Sequence, residues 1–208
     1  MDICRNKLTT VALLSIVTVL VAAGCYCPAK TSCPAPTSTT TGEAEARAKP
    51  YEARRDDVIK WLKGRDGYND HVRKVVRYAE LLNEESQSSA DPQVVEVGAL
   101  LHDCGYQVGK GPEKKVRDLH PELGAAAARG VLPRVGFPPE FTDHVSRIVA
   151  AHHSVTKMDT PEWRTVWMAD LAVNKDIKVS HERAGKALEK LRNMLQNRRE
   201  KAQEKADA

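Results

Sequence analysis

One stretch, Ala99-Leu100-Leu101-His102-Asp103-Cys104-Gly105, constrains this chain more than any other, because an apolar run leads directly into an imidazole and a carboxylate. The run from Val94 through Leu101 reads as a buried helix. An unpartnered His and Asp at its end would cost several kcal/mol, on the order of the figures for buried polar groups. Two arrangements avoid that cost: a capped helix end that turns both side chains to water, or a bound metal ion.

The remaining chain bears on that choice. From Tyr51 onward the apolar residues recur with a helical period, and no stretch alternates as a strand does. With 41% hydrophobic but only 5% aromatic residues, the composition suits one helical core better than a sandwich or barrel. Glu52 to Lys63 forms a first helix, ended by Gly64. Asp70 to about Glu85 forms a second, with Asp70 as N-cap and Val72, Val75, Val76, Ala79 and Leu82 on its apolar face. His71, Val75, Tyr78 and Leu82 share a register of i, i+4, i+7, i+11, which points His71 inward. A third helix opens with Asp91 as N-cap and Pro92 in the first helical position, and it ends at His102-Asp103.

Gly105 to Leu119, with Lys110, Lys114, Lys115 and Arg117, reads as a basic loop. His120-Pro121-Glu122 then opens an alanine-rich helix reaching about Leu132, with His120 at its entrance. A fifth helix starts at Pro138-Pro139-Glu140. Along it Phe141, Val145, Ile148 and His152 form one stripe, while His144 and His153 are turned away by about 100° per residue. The sixth, Pro161 to about Lys175, places Asp170 in the stripe of Trp163, Val166, Trp167 and Val173. A last helix, Glu182 to about Gln196, carries a narrow stripe of Ala184, Leu188, Leu191 and Leu195, followed by a charged tail that frays. Such a stripe docks on the parent domain or forms a dimer seam, and the oligomeric state stays open.

The amino terminus has a different character. In residues 1–24, Arg5 and Lys7 precede an apolar stretch from Leu8 to Ala23, the anatomy of a bacterial secretion signal. Val21-Ala22-Ala23-Gly24-Cys25 resembles a lipoprotein signal, which implies cleavage before Cys25 and lipidation of that cysteine. The alternative is an uncleaved anchor, since no charge occurs from Leu8 to Ala29. Either way the domain is tethered to the cell envelope and faces the periplasm or exterior. Residues 25–50, rich in Pro, Thr and Ser, read as a flexible tether, 51–180 as the domain proper, and 181–208 as a C-terminal helix and tail. Cys4, Cys25, Cys27 and Cys33 precede the domain, so it is not a disulfide scaffold, and Cys104 reads as a small core residue. With 32 Lys and Arg against 28 Asp and Glu, the positive excess is too small to make nucleic acid the main partner.

Taken singly, each inward His or Asp is most often a satisfied core residue or a cap. Taken together, His71, His102, Asp103, His152 and Asp170 occupy interior positions on four helices, with His120 at a helix entrance. Four imidazoles and two carboxylates converging in a helical bundle match the nitrogen and oxygen ligands of one or two divalent transition ions.

His71-Val72-Arg73-Lys74-Val75, Ala99 to Gly105, and Met168-Ala169-Asp170 together resemble the HD-domain superfamily of metal-dependent phosphohydrolases, from about Tyr51 to Val179. The resemblance implies an all-α HD bundle of about six core helices plus a C-terminal helix. It implies that His71, His102, Asp103 and Asp170 hold a first metal and that His120 and His152 serve a second, with Asp103 bridging and His102 and Asp103 central to catalysis. His153 would be an extra ligand or a partner of one. The ion would be Mn, Fe, Co, Ni or Mg, and metal-activated water would attack a phosphomonoester or phosphodiester of a nucleotide or similar small molecule. The chain departs from the family pattern in two ways: Tyr106 and Gln107 stand where many members have Lys, and Lys74 stands where many have Arg. A Lys there keeps a point charge but loses the bidentate fork. Lys74, Lys110, Lys114, Lys115 and Arg117 are the candidate phosphate contacts. Two other functions share this ligand set: an HD-type di-iron oxygenase, and a non-catalytic metal-binding lipoprotein.

Overall fold

A computed structural model describes residues 49–208; residues 1–24, read above as a secretion signal, Cys25, and residues 25–48, read above as a tether, lie outside the described residues. The described residues form helices α1 (Tyr51–Lys63), α2 (Asp70–Ser86), α3 (Pro92–Leu101), α4 (Gly105–Val108), α5 (Glu113–Val131), α6 (Pro139–Ala151), α7 (Pro161–Asn174) and α8 (Ala184–Asp207), with no strand among them. The all-α expectation holds.

Helix α3 is the centre of the packing. Val94, Val95 and Val97 through Leu101 are all buried, as befits a helix that is apolar nearly all round, and it touches α1, α2, α6 and α7. Asp91 caps it by accepting from the Gln93 amide, with Pro92 in the first turn. The Asp91 amide in turn donates to buried Glu162 at 3.0 Å, which ties the start of α3 to the first turn of α7. Helix α2 packs on α3 and α7, α5 on α4 and α6, and α8 on α2 and α7. The predicted stripe of α8 is buried at Ala184, Leu188, Leu191 and Leu195, so the last helix docks on its own domain.

The structure differs from expectation in three places. Asn69, not Asp70, caps α2: its backbone is extended and its side chain accepts from the Val72 amide at 3.0 Å, while Asp70 pairs with Arg73 one turn on. The segment after Gly105 is helical in α4 and again from Glu113, so α5 starts two turns before His120 and Pro121 lies inside it. Its residues from Glu113 to Leu119 are mostly good helix formers, and a proline inside a helix gives the same local signal as one that starts it. The charged tail continues α8 to Asp207, supported by the pairs Gln196–Glu200 and Gln203–Asp207 at the i, i+4 spacing.

Candidate metal centre

The N-terminal turn of α2, the C-terminal ends of α3 and α6, the middle of α5 and the second half of α7 meet at one place. There the structure brings together His71, His102, Asp103, His120, His152 and Asp170. His102, His120, His152 and Asp170 are buried. His71 and Asp103 keep 28% and 22% side-chain exposure, so the cluster opens to solvent on their side.

Two groups of ligand atoms are resolved. In the first, His71 Nε2 lies 3.2 Å from His102 Nε2 and 3.2 Å from Asp170 Oδ1. In the second, His120 Nε2 lies 3.1 Å from both His152 Nε2 and His153 Nε2. Asp103 stands between them: Oδ2 is 3.4 Å from His71 and 3.3 Å from His102, while Oδ1 is 3.3 Å from His120 and 3.5 Å from His152.

Three histidines are oriented in the same way. The Nδ1 of His102, His120 and His152 each donates to the carbonyl three residues back, Ala99 at 2.8 Å, Arg117 at 2.7 Å and Val149 at 2.6 Å. Each ring therefore presents an unprotonated Nε2 in its neutral form. At the ends of α3 and α6 such carbonyls are free because no further turn follows. Inside α5 the carbonyl is free for another reason. The amide that would bond Arg117 O belongs to residue 121, and Pro121 has none. The proline thus releases the acceptor that orients His120.

These observations fit a metal. Nε2 atoms facing each other at 3.1–3.2 Å need a proton or a metal cation between them. Separations of 3.1–3.6 Å also suit atoms that share one ion at about 2.1 Å. Burial disfavours charge on His102, but Asp103 and Asp170 outweigh it and raise its pKa to about 10. Burial likewise opposes ionisation of Asp103 and Asp170, yet the surrounding imidazoles, His102 foremost, hold both well below the usual carboxylate range. Burial, with His152 and His120 adding to it, lowers His153 to about 4, which keeps that ring neutral. Binding a cation here would therefore displace protons from imidazole.

Tertiary neighbours add residues that helical periodicity does not reveal. His153 is exposed, as its register predicts, yet its Nε2 reaches the second group. Asn174 Nδ2 donates to Asp170 Oδ1 at 2.8 Å and so holds that carboxylate; the i, i+4 spacing is the only sequence signal for it. Tyr106 stacks on His120 with ring centroids 4.1 Å apart and stands at the exposed edge of the centre. Gly105 lets the chain pass so close to α5 that a Cβ there would lie 1.9 Å from the His120 carbonyl oxygen. Cys104 is a buried core thiol, pushed up to about 12 by burial, with Asp103 adding to the shift. His144 faces away, toward Thr160 and Glu162. The five basic candidates are all exposed: Lys74 on α2, Lys110 before α5, and Lys114, Lys115 and Arg117 on the first two turns of α5.

The HD domain family matches residues 68–206, and the chain belongs to it. A solved structure described as a predicted HD superfamily hydrolase from an uncultured Thermotogales bacterium is similar at 21% identity and a TM-score of 0.46, covering 74% of this chain and 91% of that one. No curated protein matches.

Proposed function

We propose that this chain is a metal-dependent phosphohydrolase acting on a small phosphorylated molecule, tethered by its amino terminus to a bacterial envelope. The observation that carries the proposal is Asp103, whose two carboxylate oxygens face separate groups of histidines. That supports a two-ion centre: His71, His102 and Asp170 would hold one ion, His120, His152 and His153 the other, and Asp103 would serve both. A divalent ion held there supplies Lewis acidity, bringing water toward ionisation at about neutral pH and offsetting phosphoryl charge. The chain's own residues do the rest. Carbonyl-anchored His102, His120 and His152 hold their ring nitrogens in place, and Asn174 does the same for Asp170. The partly exposed side at His71 and Asp103 admits substrate. Exposed Lys114, Lys115 and Arg117, one to two turns upstream of His120 on α5, are the candidates to attract the anion.

The test is release of phosphate or nucleoside monophosphate from a panel of phosphomonoesters and phosphodiesters with Mn, Co, Ni, Mg or Fe(II). Chelator-sensitive turnover is expected. Its absence across the panel overturns the proposal, and oxygen consumption with two equivalents of iron would assign the same residues to an oxygenase.

A further inference from the structure

A cleft lies at the opposite ends of α2 and α7 from the metal centre. Helices α2 and α7 run antiparallel, since His71 at the start of α2 meets Asp170 late in α7. The end of α2 and the start of α7 therefore meet far from the metal centre, on the order of 20 Å away along α2 and 13 Å along α7 at the helical rise. There they enclose, with α8, a cleft of about 310 Å³.

Its walls follow from helical register. Pro161, Arg164, Thr165 and Met168 form one row of α7, and Arg192, Leu195, Gln196 and Arg199 form one row of α8, both at the i, i+3, i+4, i+7 spacing. Ser86 and Ser88 close one end. Three guanidinium groups thus line one small cleft, and none of its lining residues is acidic. Asp159, at its edge, engages two of them: Arg164 through Nε at 2.5 Å and Nη2 at 2.8 Å, and Arg199 through Nη2 at 2.5 Å. Arg199 is further fixed over the Trp163 ring, 5.5 Å from its centroid. Arg192 has no carboxylate partner among the described residues. Structural stitching of α8 to α7 needs only Asp159 with Arg164 and Arg199, which leaves Arg192 unexplained.

We infer that this cleft is a ligand site, separate from the metal centre, for a small molecule or headgroup bearing phosphate. Guanidinium forks match phosphate oxygens; Asp159 takes one edge of Arg164 and one Nη2 of Arg199 and offsets one of the three charges, which leaves the fork of Arg192 and the remaining donors of the two fixed groups, so little side-chain freedom is lost on binding. The volume is at the small end of ligand pockets, about 300 Å³ and upward. Met168 and Leu195 offer an apolar floor for the carbon part of the ligand.

The experiment measures binding to the full chain, by calorimetry for inorganic pyrophosphate and by co-sedimentation for phosphatidylglycerol vesicles, in wild type and Arg192→Glu. Arg192 is exposed, so the substitution preserves the fold, checked by circular dichroism, and leaves metal content and any turnover unchanged. Binding in at least one arm, weakened tenfold or more by Arg192→Glu, is expected, and the arm that binds identifies a soluble ligand or a lipid headgroup. Binding in neither arm, or with equal affinity in the variant, overturns the inference. Metal content and phosphate release are read separately, so failure here leaves the metal centre untouched.

Discussion

Replacing Gly105 by Ala adds a single methyl group at the tightest crossing in the domain. The new Cβ would lie 1.9 Å from the His120 carbonyl oxygen and 2.8 Å from the Gly124 amide nitrogen, where real Cβ atoms keep at least about 3.0 Å. Both obstacles are backbone, so no rotamer relieves them, and α4 must move from α5 by about 1 Å. Overpacking of this kind costs about 1–3 kcal/mol and sometimes more, and a backbone obstacle belongs at the upper end. For a domain of this size about 3 kcal/mol lowers Tm by roughly 6–12 °C. The same shift moves His120 relative to Asp103, so metal affinity should also fall by about 10–100-fold, the range for disturbed support of ligands. Gly98→Ala is the control: its Cβ would meet Ile148 and Val166 at 3.4 Å, an ordinary contact inside a helix, so it should be neutral or stabilising by up to about 1 kcal/mol. Thermal unfolding followed at 222 nm and elemental analysis measure both effects. A Gly105→Ala protein with wild-type Tm and metal content would refute the close-approach argument.

Asp103→Ala should abolish turnover and lower bound metal while the far-UV spectrum stays helical; full activity would remove Asp103 from the centre. Pro121→Ala should separate stability from function. It removes a helix-interior proline that costs about 3 kcal/mol, so Tm should rise. The restored amide competes for Arg117 O, however, and metal titration should show weaker binding; unchanged affinity would sink the proposed role of the proline. Asp159→Asn tests the α7–α8 tie. Hydrogen bonds from Arg164, then Arg199, hold the Asp159 carboxyl well below the usual carboxylate range. A carboxyl depressed in the folded state stabilises above its unfolded pKa of about 3.9 and loses that contribution as pH falls through the folded value. The Tm gap between wild type and variant should therefore be present at pH 7, worth about 1 kcal/mol or less for so exposed a pair, and should shrink below about pH 4. A gap that does not narrow between pH 4 and pH 2 contradicts the ion-pair account.

The sequence by itself determined which side faces inward in the helices whose apolar periodicity it revealed. His71 was legible as interior from Val75, Tyr78 and Leu82, His152 from Phe141, Val145 and Ile148, Asp170 from Trp163, Val166, Trp167 and Val173, and His102 from the apolar run it ends; the stripe of α8 was legible from the same helical spacing. Where local signals compete, it was ambiguous: Asn69 and Asp70 are both cap residues, and a proline that starts α3 looks the same as one embedded in α5. Only the tertiary structure decided that Asp103 faces two groups at once, that His153 reaches His120 from an exposed position, that Asn174 holds Asp170, and that three arginines from two helices share a cleft. Periodicity is a property of one helix and records direction without distance. How closely two helices approach is set by what fills the space between them, and here that is settled by Gly105 against the backbone at His120.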